Sequence, residues 1–236
     1  DVRRWRELAG GGELDGDPAI VFVSRVTNRK NPLEIVSIAR EVSRRLPRAR
    51  IYVVGDGKLM GMLASGGSRS GLAGRIVMLG RGPRSEVARV MSASHFLVTT
   101  SRNEAFGLAV LEAMALGVVP VIYDSPGVRD LVLDGTNGRL VKGPEELADA
   151  VAALWDDQGA YKSLSAAASA TSERFDCAVV KDAYLGAYKY VLDGCRELDE
   201  RALAYRAYRA LVGDPVRRGE WCNGRKWYYH ERAGEG

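Results

Sequence analysis

Two glutamates, Glu104 and Glu112, stand eight residues apart in the segment 101–117 (SRNEAFGLAVLEAMALG), on either side of Phe106 and Gly107. Their surroundings are mostly apolar. An ionised carboxylate only accepts hydrogen bonds, so it matches hydroxyl groups, which donate them. At ~1.5 Å of rise per helical residue the pair would be separated by on the order of 12 Å at most. A nucleotide-sugar has that reach, with a sugar at one end, a ribose at the other and a diphosphate between. Two solvated edges of an ordinary helix are the alternative, and the pair alone does not choose. Two cations extend the pattern: Arg25 and Lys30, in SRVTNRKNP (24–32), lie between an apolar run and a helical one. Fixed positive charges there could neutralise a diphosphate that gains charge as its bond to a sugar breaks. A solvated basic loop is the ordinary reading, and Arg29 fits it. Gly55, in VVGDG (53–57), permits close backbone approach, although a tight turn needs the same residues. His95, just before an apolar run, reads as a packing or surface residue rather than a base.

The elements that must position these residues follow from hydrophobic spacing. Short β-branched runs recur at 19–24, 50–55, 75–79, 96–100 and 118–123, with a weaker one near 138–141, and helical periodicity lies between them. In 31–46, Ile35, Ile38, Ala39, Val42 and Leu46 share one helical face. Asn31 is placed to cap that helix, with Pro32 at its first position and Glu34 completing a capping box. Strands that are apolar throughout, alternating with helices, argue a parallel sheet covered on both faces. The expected fold is therefore α/β, a doubly wound Rossmann-like parallel sheet with C-terminal helices. Such sheets bind ligands where the carboxyl ends of strands lead into helices, so the loops 24–31, 55–58, 80–84, 101–107 and 123–127 matter most. The helix after 101–104 is expected to open near Gly107, to turn Leu108, Leu111 and Ala115 inward and to end at Gly117. Its first free amides would favour an anion in the crevice. Residues 1–17, with Gly10, Gly11 and Gly12, read as a leading linker, 18–192 as the nucleotide-sugar-binding domain, and 193–236 as a basic aromatic extension.

The composition excludes some chemistry. In 236 residues, three cysteines (Cys177, Cys195, Cys222) match no metal template, and His95 and His230 alone exclude a histidine-rich centre. No metal site is expected. A formal net charge of +4 suits an anionic ligand, a nucleic acid or an acidic membrane surface alike. No apolar run approaches the ~20 residues of a membrane-spanning helix, and the expected compartment is the cytoplasm. Arginines and aromatics of the extension, Trp221, Trp227, Tyr228 and Tyr229 among them, could stack bases. Glu197, Asp199 and Glu200 interrupt it and no nucleic-acid motif appears, so nucleic acid is set aside. A peripheral contact with a membrane surface is the other reading of those aromatics.

In order and spacing, Arg25 and Lys30, Gly55-Asp56-Gly57, and Glu104 and Glu112 around Phe106-Gly107 resemble the retaining glycosyltransferase family 4 (group 1). Pro120-Val121-Ile122 with Gly127, and Asp134-Gly135-Thr136-Asn137-Gly138, are similar to the closing segment of that family. The resemblance is to the C-terminal, donor-binding domain of the two-domain GT-B fold, over about residues 18–192. It implies that Arg25 and Lys30 contact the donor diphosphate, Glu104 the donor sugar and Glu112 the ribose. Backbone groups of Phe106, Gly107 and Leu108 would meet phosphate or sugar, and Arg81, in the loop 78–82, would lie near the base. It also implies metal-independent transfer with retained configuration, with no cofactor beyond the nucleotide-diphosphate sugar itself as substrate. Ser24 and Ala105 stand where glycine is common in the family, and Thr100 where proline is common. The N-terminal, acceptor-binding domain is not found before residue 18, so it would come from further chain or from a partner chain. On its own the chain is expected to be inactive or weakly active. A non-catalytic nucleotide-sugar-binding or regulatory module that docks a partner chain is the alternative.

Overall fold

Six strands form one sheet in the computed structural model, which describes residues 1–192: β1 (Ala19–Val23), β2 (Arg50–Val54), β3 (Ile76–Gly80), β4 (Phe96–Thr99), β5 (Val119–Tyr123) and β6 (Arg139–Val141). All pairings are parallel, in the order β3-β2-β1-β4-β5-β6. These are the six apolar runs of the sequence. Successive side chains of a strand point to opposite faces, and here both faces are covered. Ile20 and Phe22 of β1 enter a core with Ile51, Val53, Phe96 and Val121, whereas Ala19 and Val21 enter a second core with Tyr52, Leu97 and Ile122. A strand buried on both sides has no polar alternation to display, which is why it reads as a continuous apolar run.

The first core is closed by α2 (Glu34–Arg45), α3 (Met60–Arg69) and α6 (Pro144–Asp156), through Ile35, Ile38, Leu63, Leu147 and Val151. The second is closed by α1 (Val2–Ala9), α4 (Arg84–Ser92) and α5 (Leu108–Ala115), through Trp5, Met91, Val110 and Met114. Two further helices, α7 (Gln158–Glu173) and α8 (Cys177–Leu192), follow. Residues Asp1–Asp182 make up one compact unit. The basic aromatic extension 193–236 and the membrane contact expected of it lie outside the described residues.

Three local expectations need correction. The leading segment 1–17 is not linker throughout: Asp1 caps α1 by accepting from the Arg4 amide at 2.8 Å, and Val2, Trp5 and Ala9 are buried. Their i, i+3, i+7 spacing is a helical face, obscured in the sequence by the intervening charges. The capping box at 31–34 does not form. Asn31 takes a left-handed conformation (φ 48°), α2 begins at Glu34, and the Glu34 carboxylate instead accepts from the Tyr123 hydroxyl. Leu108 does not turn inward; it is 67% exposed.

Candidate functional site

Between β1 and β4 the strand order reverses, because the chain runs outward from β1 through β2 to β3 and then returns to β4 on the other side. Helices leaving adjacent strands toward opposite faces open a crevice at their carboxyl ends. A cleft of about 220 Å³ occupies this position, lined by residues 22–25, Lys30, 99–101, Glu104 and 107–110.

One lip is the loop after β1. The Ser24 amide donates to the Val54 carbonyl at 3.1 Å and the Val26 amide to the Asp56 carbonyl at 2.9 Å. Gly55 (φ 136°) makes this possible, since a Cβ there would lie 1.9 Å from the Ser24 carbonyl oxygen. Gly55 thus supports the Arg25 loop from behind and does not line the cleft. Arg25 lines it and is exposed, with no counter-ion among the described residues.

The other lip is the loop after β4. Lys30 Nζ lies 2.5 Å from Glu104 Oε2, and the two side chains are only 18% and 19% exposed. Beneath them the Thr100 hydroxyl donates to the Lys30 carbonyl at 2.8 Å. Gly107 (φ 84°) turns the chain into α5, whose first amides border the cleft. Gly127 holds the loop from outside: a Cβ there would lie 2.0 Å from the Glu104 carbonyl oxygen.

The structure therefore brings Arg25, Lys30, Glu104, Gly107 and Leu108 to one cleft. Others stand apart from it. Glu112 faces α4, where Arg84 Nη2 lies 3.5 Å from Oε1; burial holds its carboxyl above the ordinary range, with Arg84 pulling the other way. Phe106 packs edge-on against Phe175, 5.6 Å between centroids. Arg81 is exposed just beyond β3, the edge strand. His95 belongs at the opposite end of the sheet, where its Nδ1 accepts from the Ala19 amide at 3.0 Å and its ring lies 4.5 Å from that of Trp155. Its packing role is as read from the sequence.

Several polar residues of this region were not expected from the sequence to belong to the site. Thr100 and Ser101 line the cleft as hydroxyls at a strand end, and Ser101 Oγ is buried with no hydrogen-bond partner. At the end of β5, Tyr123, Glu34 and Arg102 form a cluster, with the Arg102 guanidinium carbon 4.9 Å from the Tyr123 ring centroid. Burial, and then the bond to Glu34, push the Tyr123 hydroxyl well above its usual range. A strand-to-helix loop rich in Ser and Thr is the only signal that could have marked the first two. The cluster joins residues 34, 102 and 123, which no local pattern connects. Among the described residues, no three or more His, Cys, Asp or Glu side chains gather as a metal would need.

Comparison with known proteins adds the family. Residues 4–171 match the model described as "Glycosyl transferases group 1". A D-inositol 3-phosphate glycosyltransferase of Nocardia farcinica is 31% identical over 207 residues, covering 81% of this chain and 46% of that protein. Anabaena HepE in complex with UDP-glucose superposes with a TM-score of 0.63 at 25% identity, over 76% of this chain and 48% of the other. The C-terminal domain of a group 1 glycosyltransferase (LpcC) from Francisella tularensis superposes with a TM-score of 0.61 at 20% identity, over 72% of this chain and 90% of that domain. The chain thus spans about half the length of the curated relative and of HepE, but nearly all of the isolated C-terminal domain.

Proposed function

The chain belongs to the glycosyl transferases group 1 family, and from that premise we propose that it is the donor-binding half of a retaining, metal-independent glycosyltransferase acting on a nucleotide-sugar. The observation that carries this reading is the cleft at the switch point, where Arg25, Lys30, Glu104 and the start of α5 meet. Arg25 and Lys30 take the diphosphate, together with the backbone of Phe106, Gly107 and Leu108. Helix-start amides and two cations present fixed positive charge to a leaving group that grows more negative as the glycosidic bond breaks. Glu104 takes hydroxyls of the sugar and Glu112, one turn along α5, those of the ribose. The leaving phosphate accepts the proton of the acceptor hydroxyl, which is held by the other half of the enzyme. Arg81 borders the base.

Lys30 and Glu104 already touch, and this is consistent with the reading. A carboxylate that orients a sugar must lie beside the diphosphate without repelling it, and Lys30 is placed to neutralise both.

Calorimetry with UDP, GDP and their glucose and mannose conjugates tests the proposal. At least one series is expected to bind, with Arg25→Ala and Lys30→Ala each weakening the affinity about tenfold or more, as loss of a charged hydrogen bond does. Binding to none of them, or binding indifferent to both substitutions, overturns it.

A further inference from the structure

We propose that Thr100 is a positioning residue for the donor diphosphate, acting through Lys30; the inference rests on the function proposed above and adds to it a residue that contacts no substrate itself. Lys30 ends a short 3-10 turn (Asn28–Lys30), in which its amide donates to the Thr27 carbonyl at 2.9 Å. The next residue, Asn31, is the only non-glycine with positive φ among the described residues, at 48°. Asparagine takes this conformation readily, and here it closes the turn, its amide donating to the Asn28 carbonyl at 3.0 Å. The amide side of the Lys30–Asn31 peptide is thus held within the turn, and its carbonyl, that of Lys30, is met from outside the turn.

The Thr100 hydroxyl meets that peptide, donating to the Lys30 carbonyl at 2.8 Å across a separation of 70 residues. Thr100 is fully buried, one residue beyond β4, and lines the cleft. Four residues later the same loop carries Glu104, whose carboxylate meets Lys30 Nζ at 2.5 Å. The segment 100–104 thus grips Lys30 at both ends, by its carbonyl and by its ammonium. When a diphosphate competes for the ammonium, the grip of Glu104 is shared or lost, and the carbonyl bond is what keeps the lysine aimed into the cleft. A β-branched hydroxyl suits the task, since valine has its shape without its donor and serine its donor without its branch.

The experiment is a double-mutant cycle on the full chain, read by calorimetry with UDP and GDP. Thr100→Val is expected to weaken binding of the diphosphate about five- to tenfold, the effect of one hydrogen bond lost, and to leave binding of the corresponding nucleoside unchanged. Thr100→Ser is expected to restore most of the affinity. In a Lys30→Ala background, Thr100→Val should add no further loss, because the hydroxyl acts only through the lysine. Equal affinity of Thr100→Val and the parent chain overturns the inference, as does a loss that adds fully to that of Lys30→Ala or strikes nucleoside and diphosphate alike. If Thr100→Val does not fold, Thr100→Cys, with a weak S–H donor, takes its place in the same cycle. A parent chain that binds neither diphosphate refutes the proposed function itself, an outcome distinct from intact binding that Thr100 does not affect.

Discussion

At the scale of one residue, the ribose role proposed for Glu112 can be set against what its carboxylate costs the fold. Its carboxyl is held above the ordinary range chiefly by burial, against the pull of an exposed Arg84. A folded-state pKa above the unfolded value means that the native state binds the proton more tightly. The resulting stabilisation is present in full below the unfolded pKa and is lost as the pH rises through the folded one. At neutral pH Glu112 is thus a liability that glutamine would not impose. Glu112→Gln is expected to raise the denaturant midpoint at pH 7, and the gain should shrink as the pH falls through the raised folded pKa and be gone below about 4.5. The same substitution should weaken UDP or GDP binding, because an amide accepts the paired ribose hydroxyls less well than a carboxylate. A variant neither more stable nor weaker in binding would make Glu112 an ordinary helix-edge residue. Much at this scale was legible: Arg25, Lys30, Glu104 and Gly107 were named from type and spacing, and the structure gathers them. The contacts that hold them were not. Lys30 meets Glu104 across 74 residues and Thr100 meets Lys30 across 70, and no local pattern encodes such distances.

Elements were legible to the degree that burial imposed a period on them. The strands, buried on both faces, stood out as six apolar runs, and their alternation with helices gave the doubly wound sheet. α1 was hidden because its buried face is only Val2, Trp5 and Ala9 among three arginines and a glutamate, in a segment that ends in glycines. The Trp5 ring is buried against the α4 side, with the Arg84 guanidinium 5.6 Å from its centroid. Trp5→Ala should therefore cost roughly 3–5 kcal/mol, as truncating a buried tryptophan does, read as a lower midpoint in urea; a cost below about 1 kcal/mol would return α1 to linker status. Loop against loop, Gly127 is the sharper test. With the Glu104 carbonyl 2.0 Å and the Ala105 carbonyl 2.4 Å from any Cβ at this position, Gly127→Ala must push the 104–105 backbone aside. The expected result is a lower melting temperature together with at least tenfold weaker nucleotide-sugar binding. Unchanged affinity in a folded variant would show that the position of Glu104 does not matter to the ligand.

For the whole molecule the decisive property is that the cleft residues all lie within Asp1–Asp182, while the chain spans 46% of its curated relative and 90% of an isolated C-terminal domain. Under the proposed function, donor binding and catalysis then separate. Binding needs only fixed donors of hydrogen bonds and charge, which this unit presents at a preformed switch point. Transfer needs an acceptor hydroxyl aligned on the anomeric carbon and water kept out, and both gains come from closing a second surface over the first. A saturating nucleotide, at about a hundred times its dissociation constant, should add roughly 2.7 kcal/mol to the stability of the chain and raise its melting temperature by about 5–10 °C. Nucleoside diphosphate release from the matching nucleotide-sugar should remain far below the roughly 10 s⁻¹ of a typical enzyme, with slow loss to water as the only reaction. Truncation after residue 192 should leave affinity and stabilisation unchanged, since every proposed contact lies before it. A chain that bound the donor and also released nucleotide at ordinary enzymatic rates would have to carry its own acceptor site, and the division into halves would fall. Binding lost on truncation would place part of the donor site in the extension.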